Sequence, residues 1–147
     1  DGLGFVPDEL REDADTLVLA QNPGEDEERD GAPLIGKTGQ MLADKFYPRA
    51  GRTRQQLSLC NVLKCRLLVP DKRGARRLDG EPHMAVNTLP RGKVLNEAVR
   101  HCMGAHFRVP VGTRLIVAQG AVAWRALGQS GAITDWRGYL APKGYEG

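Results

Sequence analysis

Three aliphatic runs constrain this chain more than any other feature, because each ends in a polar or glycine turn. "TLVLAQ" (16–21) stands between an acidic stretch and an Asn-Pro-Gly turn, "LSLCNVLKC" (57–65) is the second, and "RLIVAQG" (114–120) the third. Short continuous apolar runs bounded by turn residues read as strands buried on both faces. Helical spacing falls between and after them. Met41, Leu42 and Phe46 set a helix from Lys37 to about Arg49. Val94, Leu95, Ala98, Val99 and Cys102 form one face of a helix over 93–104, and "AVAWRALG" follows Gly120. Strands alternating with helices predict an α/β fold, a three-layer αβα sandwich around a short central parallel sheet. Residues 22–36 read as a polar loop, and 68–92, with Pro70, Gly74, Gly80, Pro82, Pro90 and Gly92, as an irregular insertion.

In such sheets ligands bind at the carboxyl ends of the strands. Three places qualify: Gln21-Asn22-Pro23-Gly24, the stretch from Asn61 to Cys65, and Gln119-Gly120.

The length of 147 residues suits one domain spanning 1–147. With only three Phe, two Trp and three Tyr, its core must be mainly aliphatic. The net charge of +3 is unevenly spread, acidic in "EDEERD" (25–30) and basic in "DKRGARR" (71–77). A basic loop on a balanced domain suits a phosphate backbone, and equally a solvated surface. Three cysteines, no secretory signal and no apolar run of membrane-spanning length point to a reducing, cytoplasmic setting and no membrane partner. The ends read as cut, so the chain is expected to be a piece of a longer polypeptide, and monomeric.

"GAPLIGKTG" (31–39) matches the phosphate-loop pattern through Gly31, Gly36, Lys37 and Thr38. Physical context argues against that use. No strand precedes it, the carboxylates at 25–28 and 30 would repel a triphosphate, and Pro33 lacks an amide donor. Nor does any of the three strands end in an Asp to hold magnesium.

The same segment resembles something else. "LVLAQNPGEDEERDGAPLIGKTGQML" is similar to the first motif of the uracil-DNA glycosylase superfamily, in its iron–sulfur branch: an aliphatic strand, G-E-x-P-G-x-x-E-D, a gap, then G-x-P-F-V-G-x-A-G-x-L-L. "CNVLKCR" resembles that branch's T-N-[VI]-x-K-C-R, and "LIVAQGAVAWRALG" with "ITDWRG" its later strand–helix–loop. The four motifs stand in the family's order and cover nearly the whole chain apart from the insertion.

The resemblance implies hydrolysis of the N-glycosidic bond of uracil, or another deaminated base, in DNA, the opening step of base excision repair. Asn22 would align the attacking water through its carbonyl oxygen, or it simply favours the turn. Gln21 stands where the branch has Glu, with Pro23 and Gly24 completing the pocket turn. Leu34 replaces the Phe that stacks on the flipped base, which removes stacking of about 1–3 kcal/mol, or it is core packing. Asn61 would read the base edge by donating to O4 and accepting from N3–H, or it bonds at the strand end. Arg66, Lys72, Arg73, Arg76 and Arg77 would meet the DNA backbone. Cys65 and Cys102 match two of the four ligands of a [4Fe–4S] cluster, the other pair being expected before Asp1; alternatively they are buried thiols. Cys60 reads as core. The family's His-Pro motif is expected after Gly147, and His83, His101 and His106 do not match it. A non-catalytic DNA-binding module inside a larger repair or replication protein is the competing reading; a nucleotide hydrolase is the third.

Overall fold

The computed structural model describes residues 4–66, 69–70, 84–85, 89, 91–136 and 138. Its centre is a parallel sheet of three strands, β1 (Thr16–Ala20), β2 (Ser58–Asn61) and a later strand over Leu115–Ala118, in the order β2, β1, later strand. Between them in sequence lies a short antiparallel pair, β3 (Val69–Pro70) and β4 (Met84–Ala85), which makes the later strand β5. The expected strands are all present but shorter, and the insertion read as wholly irregular contains this pair.

The pleat of β1 decides the layers. Leu17 and Leu19 are fully buried with Cys60, Val62, Leu63, Phe107 and Ala123, against α3 (Lys93–His106) and α4 (Gly120–Ala126). Val18 and Ala20, one step along, are buried on the other side with Leu34, Leu42, Tyr47, Leu57 and Leu59. Alternate residues of one strand thus feed two cores, which is why the run is continuously apolar. The parallel register Val18↔Leu59, Leu19↔Cys60 and Ala20↔Asn61 brings β1 and β2 to an end side by side.

Two local departures from the expected elements have clear causes. The acidic run expected as loop is a helix, α1 (Glu25–Asp30): four carboxylates occupy its first turn, where the helix dipole favours them, and Gly31 closes it at φ 71°. The helix expected over Lys37–Arg49 is present, but changes its winding. It begins as α2 (Lys37–Met41), widens over Leu42–Phe46 so that Tyr47 N–H reaches Leu42 O at 2.8 Å, and tightens over Pro48–Ala50. Val94, assigned to the inner face of α3, is 61% exposed, whereas Leu95, Ala98, Val99 and Cys102 pack inward as expected.

The chain start adds an element that periodicity did not show. Phe5 and Glu9 bridge antiparallel to Cys65 and Leu59, along the outer side of β2. Among the described residues, no helix is long and apolar enough to cross a membrane.

Candidate functional site

A hollow of about 610 Å³ opens over the carboxyl edge of the sheet. Gln21, Asn22 and Gly24 reach it from the end of β1, Asn61 from the end of β2, and Gln119 from the end of β5. Leu34 and Gly36–Thr38 wall the far side. The two asparagines singled out in sequence therefore face one cavity. Beside the charged Glu25, Asp26, Glu27 and Lys37, this wall carries side-chain amides, which donate and accept hydrogen bonds without titrating.

Asn22 is held by its own turn. Its Nδ2 donates to Pro23 O at 2.9 Å, and its Oδ1 accepts from Gln21 Nε2 at 3.2 Å. A carbonyl oxygen has two acceptor sites, so one remains for a water. Pro23 is buried to below 2% exposure and supports this turn from inside; it is not on the wall, contrary to its expected contact with substrate.

Asn61 is 2% exposed, and its main chain is anchored from below. Lys64, 1% exposed, donates from Nζ to Asn61 O at 2.7 Å and to both oxygens of Asp8 at 2.6 and 2.7 Å. Asp8 comes from the chain start, so this buried pair ties that segment to the strand end carrying Asn61. Burial pushes the Asp8 carboxyl above its usual range despite the opposing pull of Lys64.

The loop between α1 and α2 is closed by a carboxylate. Glu27, 7% exposed, accepts from Gly24 N–H on Oε2 at 3.0 Å and from Gly36 N–H on Oε1 at 2.8 Å. The first bond is the returning half of a capping box; the second pins a residue nine positions away. With Gly36 N–H already bound to a carboxylate, no ring of free amides exists for a nucleotide phosphate. Sequence reasoning read Glu27 only as a repulsive charge. The Gly-x-x-Glu spacing from Gly24 was the available signal.

Leu34 is the one non-glycine described residue with positive φ, at 55°. Such a conformation persists only when its surroundings impose it. Arg54 imposes it from one side, donating to Leu34 O at 2.8 Å and Pro33 O at 2.7 Å while paired with Glu9 at 2.8 Å. Gly39 permits it from the other: a Cβ there would overlap the Leu34 carbonyl. Leu34 is 5% exposed, packs in the second core and also lines the hollow, where it offers an aliphatic side chain in place of an aromatic ring.

The expected DNA contacts divide. Arg66 is only 11% exposed and turned to Glu28 at 3.0 Å and Glu25 at 3.7 Å, so it is not presented to a phosphate. Lys72, Arg73, Arg76 and Arg77 lie outside the described residues, as does His83. His101 and His106 stack edge to face at 6.3 Å on and beside α3, away from the hollow.

Cys65, beside Phe5, and Cys102, on α3, are half-buried free thiols near enough for Cys102 to influence Cys65. Burial first, then that neighbour, pushes the Cys65 thiol up. Among the described residues, no group of three or more His, Cys, Asp or Glu side chains could hold a metal. Cys65 and Cys102 are two thiols, fewer than such a group needs. Cys60 is fully buried, as expected for core.

Among curated proteins the chain is similar to type-4 uracil-DNA glycosylases from three organisms. It is 34% identical to that of Sulfurisphaera tokodaii over 61 residues, 42% of this chain and 28% of the relative. It is 33% identical to that of Thermotoga maritima over 54 residues, 37% and 28% of the two chains. For Archaeoglobus fulgidus the identity is 34% over 62 residues, 42% and 31%. The chain therefore spans less than a third of each relative's length in these matches. A family model of the uracil DNA glycosylase superfamily matches residues 7–143, nearly the whole sequence, and on that extent the chain belongs to this superfamily.

Proposed function

We propose that this chain is the catalytic domain of an intracellular uracil-DNA glycosylase, acting on DNA as a monomer. The observation that carries the reading is the convergence of Asn22 and Asn61 on one hollow at the carboxyl edge of the sheet.

A base inside a duplex is out of reach, so it is extruded into that hollow. The glycosidic bond then breaks with its electron pair going to the base, leaving cationic character on the sugar. Asn22 Oδ1 orients a water towards the anomeric carbon. An amide cannot take a proton, so the water's proton passes to solvent as the new C–O bond forms. Asn61 donates to O4 and accepts from N3–H, a pairing that cytosine cannot offer. The turn amides held by Glu27 keep this arrangement from drifting, and pre-set geometry is what such a site contributes in place of a strong base. Lys72, Arg73, Arg76 and Arg77 supply backbone contacts. Cys65 and Cys102 fit as two thiolate ligands of a [4Fe–4S] cluster, which would brace the segment after β2 against α3; no step of the reaction runs through it.

Leu34 favours a second reading, a DNA-binding module without catalysis, because an aliphatic side chain cannot stack on the base as an aromatic ring would. One assay separates the two. Incubation with a uracil-containing oligonucleotide, then alkali, yields strand scission for the enzyme and intact strand for the module. Asn22→Ala abolishes scission; undiminished scission in that variant would refute the role given to Asn22.

A further inference from the structure

The hollow has an amide opposite Asn61, that of Gln119, which the reading above leaves unused. Gln119 follows Ala118, the register partner of Leu19, and its N–H donates to Leu19 O at 2.8 Å. It therefore stands level with Ala20 on one side, as Asn61 does on the other. Residues level in a parallel sheet project to the same face, and two strand spacings put Asn61 and Gln119 about 10 Å apart. Gly120, at φ 86°, turns the chain into α4 immediately afterwards and fixes where this side chain starts.

The side chain of Gln119 lines the hollow, and its Oε1 is buried with no donor. Leaving a buried amide oxygen so costs about 1–3 kcal/mol, and a group of this kind in a folded protein calls for an explanation. The core offers none, since the level neighbour is Ala20. A half-turn of the amide exchanges Oε1 and Nε2 without changing its shape, so the wall can present a donor or an acceptor to whatever enters.

A uracil ring presents carbonyl, N–H and carbonyl along one edge. Asn61 serves one carbonyl and the N–H. The remaining carbonyl, beside the nitrogen being cut, needs a donor from the opposite wall. We infer that Gln119 is a base-contacting residue whose side-chain amide donates to that carbonyl, and the inference rests on the glycosylase reading. As the C1′–N1 pair moves onto the base, negative charge spreads to this oxygen. The water oxygen takes the place of N1 on C1′, its proton goes to solvent, and the departing anion is reprotonated by solvent. A donor at that oxygen binds the transition state more strongly than the ground state, so its effect lies in the rate of bond breaking.

The test uses the full-length protein and two oligonucleotides, one with deoxyuridine and one with 5-fluorodeoxyuridine, whose base leaves as a more stable anion. Gln119→Leu keeps the bulk and removes the amide; Gln119→Met carries the same test if the leucine variant does not fold. On uracil, the single-turnover rate at saturating enzyme falls about tenfold or more, with half-saturation changed about twofold at most. On fluorouracil the loss is about threefold or less, because that leaving group depends less on the hydrogen bond. Equal losses on both substrates, which a merely structural role would give, overturn the inference, as does no loss. If the unsubstituted protein releases neither base, the glycosylase reading itself fails and this assignment with it.

Discussion

Replacing Glu27 by glutamine keeps the outline of the side chain and removes one of the two acceptors at which the ends of the α1–α2 loop meet. Both oxygens are in use, at 3.0 Å from Gly24 N and 2.8 Å from Gly36 N, and the residue is 7% exposed. In the glutamine, one end is an NH₂ facing a backbone N–H, so one bond is lost and two donors confront each other. A hydrogen bond to a charged group contributes about 1.5–3 kcal/mol, so Glu27→Gln should cost about 2–3 kcal/mol. Glu27→Ala loses both bonds and leaves the buried Gly36 N–H without an acceptor, for about 4–5 kcal/mol. In a chain of this size each kcal/mol lowers the melting temperature by about 3 °C, giving falls of about 7 and about 13 °C. Differential scanning calorimetry reads both. Gly24 and Gly36 both border the hollow, so turnover on a uracil-containing oligonucleotide should fall about tenfold or more in the glutamine variant, well below its melting point. A glutamine variant that melts within about 1 °C of the parent would show that one of the two bonds contributes nothing, and would refute the clamp.

Lys64→Met should cost about 3–5 kcal/mol, because it strands the Asp8 carboxylate, whereas the double variant Asp8→Leu/Lys64→Met should return to within about 1 kcal/mol of the parent in urea melts. Burial raises the pKa of the Asp8 carboxyl above its ordinary value on folding, so it favours the fold when protonated and that contribution fades as pH rises through its folded value. The double variant should therefore lose ground against the parent as pH falls from neutral into the ordinary carboxylate range; parallel curves would refute the assignment. Gly39→Ala should cost about 3 kcal/mol by driving a methyl into the Leu34 carbonyl, and crystallographic or NMR comparison should find Leu34 displaced from its left-handed conformation. Burial pushes the Cys60 thiol up to about 12, so thiol reagents near neutral pH should leave Cys60 unlabelled until the protein unfolds, as mass spectrometry would show.

The architecture was legible because its cause is local and repeated. A strand covered on both faces must be apolar along its covered length, and "LVLA" (17–20) meets that demand. The asparagine pair was legible for a related reason: a parallel sheet brings strand ends together, so polar residues at the ends of two strands are close before any side chain is placed. β5 shows where this logic weakens. "LIVA" reads as fully buried, but an edge strand is covered on fewer sides, and Leu115 and Val117 are 41% and 38% exposed. The antiparallel start of the chain was invisible, since "FVPDELRED" has neither the length nor the alternation of a strand and owes its position to pairing with β2.

What composition could not show is that three charged residues on or just behind the walls of the hollow are structural. Glu27, Lys64 and Arg54 each spend their charge on backbone groups or a single buried partner, which no run of carboxylates or basic residues announces. A charge on a solvated face and a charge closing a loop have the same letter; the difference lies in whether two backbone donors from distant positions converge on it. The same holds for Leu34. Its letter predicts apolar contact, and its left-handed backbone is written only indirectly, in the glycine five residues later that alone can pass its carbonyl. These tethers leave Gln21, Asn22, Asn61 and Gln119 as the side-chain amides that face the hollow from the three strand ends. Under the proposed function such a site works by holding a base and a water still, so its most sensitive positions should be the buried charges that immobilise its walls as much as the amides assigned to the substrate.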